Sequence, residues 1–286
     1  VSVRGVLLDL DGVFYVGDEP VPGGAEAVAW LVERGIPHRF VTNTTSRPRR
    51  GIVAKLRAMG IEVDAADVLT PVVAAAAWLE SEGCRHPALF VPEATASEFA
   101  ELGVAGAEPS GSADAVVVGD LGSGWDFATM NRAFRLLAED PGIPLVALGL
   151  TRYWRAEDGL RLDVGAFVRA LEYASGREAV VLGKPAAAFY RAAVDSLAEA
   201  PDEAVMVGDD IRSDVEGAQR AGLPAVLVRT GKFDPADLDG AIRPDAVLDS
   251  IAGLPEWWRN RAIGGGIDES TGEVLTARDG SQEGGP

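Results

Sequence analysis

One cysteine, Cys84, stands among 286 residues, so an intramolecular disulfide is excluded. The only two histidines, His38 and His86, do not combine with it into a zinc-binding spacing, and both are read as structural. No apolar run reaches the roughly 18 residues of a membrane helix, and the first residues enter a strand-like pattern without a charged leader. Lysine is scarce as well, with three (Lys55, Lys184, Lys232) against 23 arginines, and no basic block stands out. With 26 basic and 44 acidic residues the formal charge is −18, which disfavours nucleic acid and anionic membrane as partners. The expectation is a soluble, cytoplasmic protein in which any anionic substrate is met by local positive groups.

What is present is a chain with 47% hydrophobic residues, enough for one large or two smaller cores. Short β-like runs alternate with helical patterns: 3–10, 24–35, 38–43 and 47–60 at the start, and 178–185, 186–199, 203–210, 213–221 and 224–231 towards the end. Ser46 before Pro48 reads as the start signal of the second helix. The strand-like runs are apolar on both faces, which predicts a parallel, Rossmann-like α/β sheet covered by helices. Residues 73–176 have a βα rhythm of their own and read as an inserted α/β domain, leaving 1–72 and 177–262 as a discontinuous core. Residues 263–286 hold seven glycines in 24 positions and are expected to be a disordered tail.

In open parallel sheets ligands bind beyond the carboxyl ends of the strands, so the polar residues there belong together. They are Asp9 and Asp11 in "DLDG", Thr42, Asn43 and Thr44 in "VTNTT", Lys184 in "GKP", and Asp209 and Asp210 in "GDD". Residues i and i+2 of an extended strand point the same way, so Asp9 and Asp11 are expected to share one side. Three or four carboxylates in one crevice repel unless a cation is bound, and hard oxygen ligands suit Mg²⁺. Thr42 and Asn43 offer donors to a phosphate, and Lys184 a point charge. Asp214 stays open between the metal site and a helix start, because Ser213 and Glu216 have capping-box spacing.

"DLDG", "VTNTT", "GKP" and "GDDIRSD", in that order, resemble the four motifs of the haloacid dehalogenase-like phosphatase superfamily. The insertion between the second and third resembles its C2-type cap. The stretches 159–185 and 205–233 look further like the subgroup with the phospholysine/phosphohistidine/pyrophosphate phosphatase and relatives of pyridoxal-phosphate and nucleotide-monophosphate phosphatases. The resemblance implies Asp9 as nucleophile and Asp11 as acid/base. It implies Thr42 and Lys184 as phosphoryl ligands, assisted by Asn43 and Thr44. Mg²⁺ would be held by Asp9, the Asp11 carbonyl and Asp209, with Asp210 and Asp214 around it. One departure is Val13, where the family often has a threonine whose hydroxyl could brace the loop.

The reaction expected is hydrolysis of a small phosphorylated metabolite through an aspartyl-phosphate, with a homodimer through the cap as the partner considered. A receiver-like phospho-acceptor and a catalytically quiet binding protein on the same fold are the alternatives. Asp11 and the insertion favour the enzyme. Arg152, Tyr153, Trp154 and Arg155 fall in one segment of the insertion, read as a loop that favours a flat or anionic substrate if it meets the leaving group.

Overall fold

The Gly5–Asp9 strand is buried along its whole length in the computed structural model of this chain, which describes residues 3–45, 47–104, 106, 112–156 and 159–263. Val6 and Leu8 pack with Phe40, Val205 and Val226 on one face, and Leu7 packs with Val41, Met206 and Leu227 on the other. Two apolar faces require cover on both, and the strand therefore lies inside a six-stranded parallel sheet. The order across it is Ala246–Leu248, Ala225–Val228, Ala204–Gly208, Gly5–Asp9, His38–Val41, Val68–Leu69. From Gly5–Asp9 the chain winds first towards Val68–Leu69 and later towards Ala246–Leu248. The reversal opens a crevice beside the end of the first strand.

A second sheet of four parallel strands is inserted, in the order Val180–Val181, Leu145–Ala147, Val116–Val118, Ala88–Phe90. Trp125 fills its core, stacked on Phe90 and Phe167 at ring separations of 5.9 and 5.1 Å. The helices Gly24–Glu33 and Ala187–Leu197 lie where the periodicity puts them, to within two residues at each end, and Phe127–Glu139 and Val164–Ser175 are two of the helices of the inserted segment.

Four details differ from the sequence expectation or lie beyond it. Val180–Val181 pairs with Leu145–Ala147 and so belongs to the second sheet, not to the core that was expected to resume at 177. A covered apolar strand reads alike in either sheet, and its pairing partner is not written locally. The expected 213–221 helix is a wide turn, Ile211–Glu216, followed by Gly217–Arg220. Tyr153–Ala156 pairs antiparallel with Gly159–Leu162, where a loop was expected. The second helix is Arg49–Ala58 with Pro48 before it; Ser46 and the tail from 264 lie outside the described residues.

Candidate active site

Asp9 closes the first strand, 5% exposed, and its Oδ1 accepts a hydrogen bond from Lys184 Nζ at 2.6 Å. The same ammonium donates to Asp214 Oδ1 at 2.7 Å. Asp214 has no exposed surface, and its Oδ2 accepts from the Asp209 and Asp210 amides at 3.2 and 3.0 Å. Asp209, at the end of Ala204–Gly208, accepts the Lys232 amide on Oδ2 at 2.7 Å, while its buried Oδ1 has no partner. Carboxylate oxygens of Asp9, Asp209 and Asp214 lie within 4.8 Å of one another.

Such crowding sets the titration. Burial, then the charge of Asp214, pushes Asp9 up to about 8 against the pull of Lys184. Burial pushes Asp209 up to about 6, with the Lys232 amide working against it. Burial alone would lower Lys184, yet Asp214 and Asp9 outweigh it and hold the ammonium above the ordinary lysine value. A divalent cation reverses this logic for the acids. The residues fit Mg²⁺: the donors are hard oxygens, and Asp209 Oδ1 is an orphaned buried acceptor. The backbone approaches closely as well, since a Cβ on Gly12 or on Gly231, both at positive φ, would overlap the Asp209 carboxylate.

Asp11 lies past the strand end and is exposed, outside the three-carboxylate group. Tyr15, 5% exposed, points its hydroxyl at Asp11 Oδ2 from 3.5 Å, and its amide oxygen accepts the Gly12 N–H at 2.7 Å. Burial, then Asp11, raises the Tyr15 phenol and keeps it a donor. Val13 is fully buried and its side chain has no hydroxyl to brace the loop, although its N–H donates to the Leu10 carbonyl at 3.2 Å; Thr230 Oγ1 donates to the Gly12 carbonyl. Asp210 caps the wide turn, its Oδ1 accepting from the Arg212 and Ser213 amides at 2.9 Å each. Those amides hold its carboxyl below the usual range in spite of its burial.

Thr42 is buried beside Asp9, whose register partner is Val41, and its Oγ1 takes the Thr44 N–H at 3.1 Å. Asn43 uses both ends of its amide on the Lys184 backbone, accepting from N at 2.7 Å and donating to O at 2.9 Å. It thereby fixes the lysine. Tyr15, Thr230, Gly231, Lys232 and Tyr190, whose hydroxyl donates to Ser213 O at 2.6 Å, went unassigned in the sequence reading. "TGK" after an apolar strand was a usable signal for three of them; the tyrosines carried none.

Next to Asn43, Thr44 and Thr45 lies a cavity of about 310 Å³, closed from the inserted sheet by Gly149, Asp120 and Asp163. Arg152 and Tyr153 are exposed and do not line it, and the side chains of Trp154 and Arg155 lie outside those described.

A haloacid dehalogenase-like hydrolase profile matches residues 6–105, and a second HAD-hydrolase-like profile matches residues 181–254. The chain is 40% identical to the phospholysine phosphohistidine inorganic pyrophosphate phosphatase of Rattus norvegicus, over 88% of this chain and 92% of that one. It is 39% identical to haloacid dehalogenase-like hydrolase domain-containing protein 2 of Mus musculus, over 82% and 88%. The p-nitrophenyl phosphatase from Archaeoglobus fulgidus superposes with a TM-score of 0.81 at 30% identity, covering 90% of this chain and all of that one. A Rossmann-like core, an inserted α/β cap and these relatives together establish that the chain belongs to the haloacid dehalogenase-like hydrolases, as a phosphoric monoester hydrolase of their C2-capped subfamily IIA.

Proposed function

We propose that the protein is a Mg²⁺-dependent phosphatase that works through an aspartyl-phosphate on Asp9. The observation that carries the reading is the buried Asp9, Lys184, Asp214 and Asp209 group with its unpartnered Asp209 Oδ1. Mg²⁺, bound by Asp9, Asp209 and the Asp11 carbonyl, would supply positive charge against the phosphoryl oxygens. Asp9 attacks phosphorus and the bond to the leaving atom breaks, while Asp11 gives that atom its proton. The Asp11 carboxylate then takes a proton from water as the water attacks phosphorus, and Asp9 is released with inorganic phosphate. Lys184 and Thr42 hold the phosphoryl oxygens; Asn43 and Asp214 keep the lysine in place.

The leaving group would occupy the cavity beside Thr44. Its two carboxylates each spend one oxygen on a backbone amide, Asp120 on Gly122 at 2.9 Å and Asp163 on Val164 at 2.6 Å. Burial, and then the charge of Asp120, raises the Asp163 carboxyl. An anionic leaving group would meet repulsion there, whereas an ammonium would be welcomed, so among the relatives' named substrates phospholysine fits better than pyrophosphate. This reading differs from the flat or anionic preference that residues 152–155 would give if they met the leaving group.

Asp9→Asn should keep the fold and abolish p-nitrophenyl phosphate hydrolysis, and EDTA should do the same reversibly to the wild type. Residual turnover of more than a few per cent in the variant would sink the covalent route. Asp163→Asn, which still caps its helix, should lower kcat/KM for phospholysine relative to pyrophosphate. An unchanged ratio would reject the ammonium preference.

A further inference from the structure

Two buried polar side chains outside the catalytic group, Thr95 and Glu98, each 2% exposed, share the Glu93–Glu101 helix of the cap. A buried carboxylate is costly unless it is paired and hydrogen-bonded. Burial raises the Glu98 carboxyl even against Arg49. Its partners lie across the junction in the core: Oε1 accepts from Arg49 Nε at 2.9 Å and from the Arg49 backbone amide at 3.4 Å. One turn earlier, Thr95 Oγ1 donates to the Thr45 carbonyl at 3.0 Å.

Both contacts land on residues 45–49, directly after Thr42, Asn43 and Thr44. Thr44 and Thr45 also form part of the cavity wall. A third contact between the same helices, Arg50 to Glu101 at 2.7 Å, is exposed on both sides and touches neither loop nor cavity. Surface adhesion of cap to core is thus available without burying an acid and a hydroxyl. The buried pair acts instead on the backbone of the phosphoryl loop, tethering the Thr45 carbonyl and an amide in the first turn of the next helix.

We propose that Thr95 and Glu98 are positioning residues, through which the cap sets the geometry of the Thr42–Thr45 loop. The proposal rests on the phosphatase reading. Its distinctive consequence is that a small aryl phosphate, which needs little from the cap as a binding surface, still depends on these two cap side chains for turnover.

The test compares isosteric and conservative variants on p-nitrophenyl phosphate with Mg²⁺, reading kcat, KM and thermal midpoint. Thr95→Val keeps the volume and loses the hydroxyl; Thr95→Ser keeps the hydroxyl and loses a buried methyl. Positioning predicts that valine lowers kcat by about tenfold or more, since displacements near 1 Å can cost up to about a hundredfold. It predicts that serine restores kcat although serine has the lower melting temperature. Arg50→Ala should leave kcat unchanged. Should Thr95→Val not fold, Glu98→Ala against Glu98→Gln asks the same question, because glutamine keeps an acceptor for the Arg49 N–H groups. Wild-type kcat in the valine variant, or rates that simply follow melting temperature, would overturn the proposal. A wild type that hydrolyses no phosphate ester with Mg²⁺ would overturn the phosphatase reading first, and the proposal with it.

Discussion

Lys184 places one ammonium between two buried carboxylates, Asp9 and Asp214, with its side chain 4% exposed. Removing one member of a buried charged group leaves the others uncompensated, typically at about 3–5 kcal/mol. Lys184→Met should therefore lose stability of that order in a denaturant titration as well as activity, and an unchanged midpoint would show that the carboxylates are not held by this contact. Lys184→Arg should not rescue turnover, because a planar fork does not fit where a compact ammonium donates to two acids. At this scale much was legible, since acids, hydroxyls and a rare lysine at strand ends form a pattern of residue types. The division of labour among the last three acids was not. Ser213 and Glu216 suggested a cap that would leave Asp214 at a helix start, yet Asp210 caps the turn and Asp214 is drawn inside onto Lys184.

At the scale of elements, the loops 9–15 and 229–233 work as one piece. Thr230 holds the Gly12 carbonyl, Lys232 offers its amide to Asp209, and Gly231, at φ 65°, lies against both Gly12 and Asp209. Gly231→Ala should push these two loops apart, lowering kcat and weakening the apparent affinity for Mg²⁺ together, while the far-UV spectrum stays native. Wild-type metal dependence in that variant would show that the loops move independently. The βα rhythm made most helices and strands readable because amphipathic and doubly buried patterns are local. The pairing of Tyr153–Ala156 was not readable: its charged and aromatic residues mask the alternation, and among the described strands it pairs with Gly159–Leu162 alone. Nor was the assignment of Val180–Val181, whose two residues have Leu145–Ala147 as their only strand neighbour in the described sheets.

For the molecule as a whole, one apolar body joins the two sheets. Leu7, Val41 and Met206 from the core strands share a cluster with Val91, Val117 and Val146 of the cap, bridged by Leu79 and Phe189 from the Pro71–Ser81 and Ala187–Leu197 helices. Two units fused in this way should unfold together, so calorimetry should show one transition with near- and far-ultraviolet signals coinciding. Two separate transitions would mean that the bridge is weak. The insertion was legible in the sequence as a block with its own rhythm, but the shared cluster was not, because it is built from residues far apart along the chain. Its lysines add a further property. Lys184 holds Asp9, Lys232 faces Asp210 at 3.4 Å, and Lys55 lies 3.8 Å over the ring of Tyr15, so all three lysines of the chain are gathered around one crevice. Only Lys232 has a largely exposed side chain, at 65%, against 16% for Lys55 and 4% for Lys184. Among the side-chain amines Lys232 is therefore the one most within reach of an amine-selective acylating reagent, and a fluorophore carried there, at the rim of the crevice, reports on what enters it.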